Sequence, residues 1–117
     1  MATLDILRRE PEIRSYTQGE TVFQAGDPGD CMYAVVEGSI EIRLNDKTID
    51  RVGPGGVFGE MGLIDAQPRS ATAVAASDSK LAVISEKRFL RLVEQTPQFA
   101  LQMMRVVSDR LRQHGPR

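Results

Sequence analysis

Nine of the ten glycines in this 117-residue chain fall between Gly19 and Gly62, and beyond them only Gly115 remains. Glycine at intervals of about ten residues breaks helices and marks turns, so the front half can hold only short strands. Runs of β-branched and aromatic residues lie between the turns. They predict strands at residues 13–17, 21–24, 31–37, 39–45 and 48–52, and two more at 70–76 and 80–84. In Gly26-Asp27-Pro28-Gly29-Asp30, Pro28 presets φ at the second turn position and Gly29 is expected to take the positive φ at the third. Asn45-Asp46-Lys47 is a second reversal, joining strands that can pair as a hairpin. Seven short strands with this spacing predict a β-sandwich or barrel.

After residue 85 the sheet pattern stops. Ser85 followed by Glu86 reads as an N-cap with an acidic first turn, opening a helix through Phe89, Leu90 and Val93. Thr96-Pro97 repeats the signal, with Thr96 as cap and Pro97 at the first helical position. Behind it Ala100, Met103, Met104, Val107 and Leu111 form one apolar stripe at helical spacing. Phe99, Leu101 and Val106 lie partly off that stripe. The last helix therefore packs against the strands and the preceding helix, or serves as a subunit contact giving a homodimer, or as a lid over a ligand. Residues 2–9, with Thr3 as cap, predict a short N-terminal helix. The expected fold is mainly β with flanking helices: an antiparallel β-barrel or jelly roll with a short inserted helix and C-terminal helices. One domain is expected over 1–117, divided into an N-terminal helical segment at 1–11, the barrel at 12–85 and helices at 86–114.

Several functions lose support on composition alone. The charge is nearly balanced, 15 basic against 16 acidic residues, and the mild basic excess after residue 85 is not the concentrated face that nucleic-acid binding needs. No apolar run approaches the ~20 residues of a membrane span, and no leader is visible, so a cytoplasmic chain is expected. A lone Cys31 and a lone His114 leave no disulfide, no multi-thiolate or iron-sulfur site and no Cys-His nucleophile pair; Cys31 reads as core. Gly53-Pro54-Gly55-Gly56-Val57-Phe58-Gly59 misses the dinucleotide fingerprint because Phe58 stands in place of its third glycine, and no Walker sequence occurs. Neither an enzyme nor a metal centre is expected.

Chemistry concentrates in one segment, Phe58-Gly59-Glu60-Met61-Gly62-Leu63-Ile64-Asp65-Ala66-Gln67-Pro68-Arg69-Ser70-Ala71-Thr72. Met61, Leu63 and Ile64 can form a helical turn anchored inward, with free N–H groups at its start that suit an anion. Gly59 and Gly62 let a bound group approach the main chain, and Arg69 offers a planar fork matching two phosphate oxygens. A carboxylate beside such a site needs a reason, and a ligand hydroxyl adjacent to the phosphate supplies one for Glu60. Phosphate joined to a free ribose hydroxyl describes a nucleotide.

The pattern FGEMGLIDAQPRSATA, with GDPGDCMYAVVEGSI before it, resembles the cyclic nucleotide-binding domain family, found in regulators of the catabolite-activator type, cyclic-nucleotide-gated channels and regulatory subunits of cAMP-dependent kinase. The likeness covers about residues 12–113. It implies that residues 58–72 are the phosphate-binding cassette, that Gly59 and Glu60 meet the ribose, with the Glu60 carboxylate on the 2′-hydroxyl, and that Arg69 pairs with the cyclic phosphate. Ser70 adds its hydroxyl or N–H, Gly62 and Leu63 line the cassette helix, and Phe58, Met61 and Ala71 complete the expected contacts. Ser70 in place of Thr favours cAMP over cGMP. Arg105, Arg110 and His114 lie where relatives cover the base, although a solvated helical face is the simpler reading. Relatives that regulate transcription continue into a longer helix and a helix-turn-helix, whereas here the chain runs to Gly115-Pro116-Arg117, so no nucleic acid binding is expected of this chain alone. The expected function is a sensor whose C-terminal helices relay ligand occupancy to an unidentified protein effector. The competing expectation is a barrel of the same shape that serves as an interaction module without nucleotide.

Overall fold

The computed structural model describes Leu7, residues 9–65 and residues 67–114, without the His114 side chain. Among the described residues eight strands and three helices follow one another: β1 (Ile13–Tyr16), β2 (Thr21–Phe23), β3 (Cys31–Glu37), β4 (Ile40–Leu44), β5 (Lys47–Val52), β6 (Val57–Phe58), α1 (Glu60–Asp65), β7 (Thr72–Ala75), β8 (Ser79–Ser85), α2 (Glu86–Gln95) and α3 (Gln98–His114). The strands form two four-stranded sheets, in the orders β1-β8-β3-β6 and β2-β7-β4-β5, with every pairing antiparallel. The architecture is a two-sheet roll, not a closed barrel. The predicted N-terminal helix lies outside the described residues, apart from a turn at Leu7 and Arg9. No helix among the described residues is long and apolar enough to cross a membrane.

Strand alternation explains where the two cores sit. In β3, Tyr33 and Val35 face the second sheet while Met32 and Ala34 face the helices; in β8, Leu81 and Val83 take the first role and Ala82 and Ile84 the second. Both faces of these paired strands are covered, which is why they read as unbroken apolar runs. In β4, Ile40 and Ile42 are buried and Arg43 is exposed, the alternation of a sheet with one face in water.

The β4–β5 hairpin turns through Asn45 and Asp46, at φ 52° and 64°, the positive pair that such a two-residue reversal requires. In the earlier turn the positive φ falls on Gly26, at 94°, and not on Gly29. Gly29 is glycine for a different reason, given below.

Ser85 caps α2 as expected, its hydroxyl accepting from the Arg88 N–H at 3.2 Å. Thr96 acts through its backbone, donating to the Leu92 carbonyl at 2.8 Å and accepting from the Phe99 N–H at 2.9 Å, and α3 begins at Gln98, one residue past Pro97. Phe99, Met103 and Val106 are fully or nearly buried against Leu7, Met32, Ile84 and Leu92. The core side of α3 is thus the 99–103–106 line. Two members of the expected subunit surface, Phe99 and Val106, are interior, whereas Leu101, Met104 and Leu111 are exposed.

Candidate functional site

Arg69 is 6% exposed and is held from several sides. Its Nη1 donates to the Gly59 carbonyl and its Nη2 to the Cys31 carbonyl, each at 2.7 Å. The Cys31 sulfur lies 3.7 Å from Nη2, so this cysteine packs beside the site as well as on the core. The backbone of Arg69 is locked to the early turn by a reciprocal pair, Gly26 N–H to Arg69 carbonyl and Arg69 N–H to Asp27 carbonyl, both at 2.8 Å. A residue in the middle of the sequence is therefore fixed by one some forty positions before it.

The glycines around Arg69 make room for it. A Cβ on Gly59 or on Gly62 would stand 2.8 Å from Arg69 Nη1, and one on Gly29 would stand 2.9 Å from the Gly62 Cα and 3.3 Å from Arg69 Nε. Glycine at 59 also serves a φ of +77°. Gly59 and Gly62, expected to admit a ligand, first make room in the fold for the guanidinium.

Glu60, 3% exposed, opens α1, where its carboxylate complements the helix N-terminus. It accepts from Nη1 of Arg110 on α3, while Nη2 of the same arginine donates to the Val57 carbonyl. Arg110 is thus not on a solvated helical face. It spans from the last helix to the start of the cassette. Arg105 is exposed and off the cavity, and the His114 side chain lies outside the described residues.

These groups surround a cavity of about 400 Å³. Of the expected contact residues, Phe58, Gly59, Glu60, Met61, Gly62, Arg69, Ser70 and Ala71 line it, and Leu63 does not. Leu63 packs instead against the helical core that holds Phe99 and Met103. Ile64, expected to anchor inward, is 52% exposed, because a six-residue helix presents only one turn to the interior.

The cavity also takes Phe23 from β2 and Ile42 from β4, which no local pattern placed there, and Val107 and Leu111 from the α3 stripe that was one candidate for covering a ligand. Phe23, Tyr33 and Phe58 form an aromatic cluster with centroids 5.2 to 5.9 Å apart. Burial, reinforced by a hydrogen bond with Cys31, pushes the Tyr33 phenol well above its ordinary range, so the ring stays neutral at physiological pH. The wall thus combines the Arg69 guanidinium, the paired Glu60 and Arg110, the Asp65 carboxylate, glycine-rich main chain and a largely apolar remainder. That is the composition of a site for an amphiphilic anion with a hydroxyl.

Residues 13–96 match the family model for the cyclic nucleotide-binding domain. The chain is 34% identical over 105 residues to the cyclic AMP receptor protein of Thermus thermophilus, an alignment covering 86% of this chain and 49% of that protein. The chain spans half or less of the length of the curated relatives it matches. The crystal structure of the Thermus thermophilus catabolite activator protein superposes with a TM-score of 0.82 at 34% identity, over 92% of this chain and 53% of that one. A structure from a cyclic-GMP-dependent signalling pathway that regulates bacterial phytopathogenesis also gives 0.82, at 31% identity, over 93% and 95%. Family model, sequence likeness and superposition agree, and the chain belongs to the cyclic nucleotide-binding domain family.

Proposed function

We propose that the cavity binds a cyclic purine nucleotide, cAMP first and cGMP second, and that α3 reports its occupancy to a protein effector. Arg69 and the main chain of residues 59–62 take the cyclic phosphate, Ser70 adds a donor, and Glu60 accepts from the ribose 2′-hydroxyl. The base lies against the apolar remainder, toward Val107 and Leu111. The role is sensing, with no catalytic step. cAMP stands first because of the likeness to a cyclic AMP receptor protein and because of Ser70.

One observation carries the relay: Arg110 joins α3 to the carboxylate assigned to the ribose. A ligand hydroxyl arriving at Glu60 changes the partner set of a group that α3 already holds, which gives bound and free states different energies at the last helix. Only such a difference lets a ligand move an equilibrium.

Calorimetric titration with cAMP, cGMP and 5′-AMP tests the ligand. Saturation at about 100 times the dissociation constant should raise stability by roughly 2.7 kcal/mol, with cAMP ahead of cGMP and 5′-AMP far behind. No response to either cyclic nucleotide would favour the interaction module instead. The relay is tested by Arg110→Ala, which leaves a buried carboxylate without its ion-pair partner. Hydrogen exchange of the α3 amides should accelerate about tenfold in the free protein and lose its dependence on cAMP; unchanged cAMP-dependent protection of α3 would remove Arg110 from the path.

A further inference from the structure

The anion site contains a contact that lies outside the cassette. The Arg69 guanidinium carbon stands 4.2 Å from the centroid of the Phe23 ring, on β2, forty-six positions earlier in the chain. The pairing of β2 with β7 is irregular between Thr21 and Phe23, which align with Val74 and Ala73. An irregularity of this kind re-aims a side chain, and here the ring lies on the cavity wall beside the guanidinium. Tyr33 and Phe58 pack against it at 5.9 Å each, and the Tyr33 ring is the more distant of the two aromatic neighbours of the guanidinium carbon, at 5.8 Å.

We propose that Phe23 is a positioning residue for nucleotide binding: its ring face fixes the plane of the Arg69 guanidinium and so aims that fork's edge at the phosphate. The inference rests on the assignment of Arg69 to the phosphate made above. Nη1 and Nη2 each spend a hydrogen on a carbonyl, and Nε is buried without a partner. In-plane bonds restrain the guanidinium along its edge but leave its rotation out of that plane to whatever covers its face. A hydrocarbon side chain would cover the face and expel water; an aromatic ring also attracts the cation, and most strongly where water is excluded. Glycines 29, 59 and 62 leave the guanidinium tightly enclosed on other sides, so the ring completes an enclosure that is rigid before any anion arrives. A donor already held in place loses less freedom on binding than a mobile one.

The test replaces Phe23 alone with 3,4,5-trifluorophenylalanine, which keeps the ring's shape and strips the negative potential from its face. cAMP affinity should fall about 3- to 30-fold, the range expected of a desolvated cation–π contact, with the unfolding midpoint close to that of the unmodified protein. Phe23→Tyr should bind normally, and Phe23→Leu should weaken binding at least as much as the fluorinated ring. In an Arg69→Ala background the fluorinated ring should have no further effect, since two groups acting through one contact are not additive. Equal affinity of the fluorinated and natural proteins for cAMP, or an equal loss in the Arg69→Ala background, would overturn the inference while leaving the nucleotide site standing. Failure of the unmodified protein to bind either cyclic nucleotide would overturn both.

Discussion

Arg69→Ala should weaken cAMP binding by about 2–3 kcal/mol, roughly 30- to 150-fold, through loss of charge-assisted bonds to the phosphate. The size follows from burial. At 6% exposure the guanidinium is little screened by water, and among the described residues no other basic side chain lines the cavity except Arg110, which is paired with Glu60. Arg69→Lys should fall between wild type and Ala, because an ammonium keeps the charge but cannot span two oxygens in one plane. The same substitutions orphan the Gly59 and Cys31 carbonyls, so some loss of stability accompanies them, and affinity must be compared well below each unfolding midpoint. Glu60→Gln should cost less affinity than Arg69→Ala, since an amide still accepts from a hydroxyl. A folded Arg69→Ala variant with wild-type affinity for cAMP would falsify the phosphate assignment.

The second large effect concerns stability. Phe99→Ala should lower the free energy of unfolding by about 3–5 kcal/mol, from lost transfer energy and the cavity left behind. Phe99 is fully buried, meets Phe89 edge to face at a centroid distance of 5.2 Å, and sits in the core that also receives Leu63 from the cassette helix. Against a total of about 5–15 kcal/mol for a domain, that loss puts the fold at risk. Chemical denaturation followed by circular dichroism measures it. A loss under ~1 kcal/mol, accompanied by a concentration-dependent change in sedimentation, would place Phe99 at a subunit interface and contradict the core described above.

The fold was legible wherever the signal was local. Turn residues located seven of the eight strands within one or two residues, glycine marking the first five and Ser77-Asp78-Ser79 the gap between the last two, because strand ends here are set by backbone chemistry at the turns. β6 was missed: Val57 and Phe58 make a two-residue strand, too short for any alternation to show. The share of the cavity wall contributed by residues 58–71 was legible because those residues are contiguous and fold around the short helix α1. What sequence could not show were contacts made across the fold. Phe23, Gly29 and Arg110 meet the cassette from 46, 40 and 41 positions away from Arg69, through sheet pairing and helix docking that no local pattern encodes. Gly29 carried a signal that was misread: one glycine of its turn needed a positive φ, and the other needed to have no side chain. The inner face of α3 was misjudged by one step because 3.6-residue periodicity permits two overlapping apolar lines on a helix this rich in Met, Val and Leu. Only the docking against Met32 and Ile84 selects the line through Phe99, Met103 and Val106.

The double-sided strands β3 and β8 allow the two cores to change separately. Odd-numbered positions 33 and 35 belong to the core between the sheets and even-numbered 32 and 34 to the core under the helices, so neighbouring residues on one backbone answer to different packing demands. Substitutions in the first set would repack the space between the sheets and those in the second would reseat the helices, with the hydrogen-bonded ladder between them left intact.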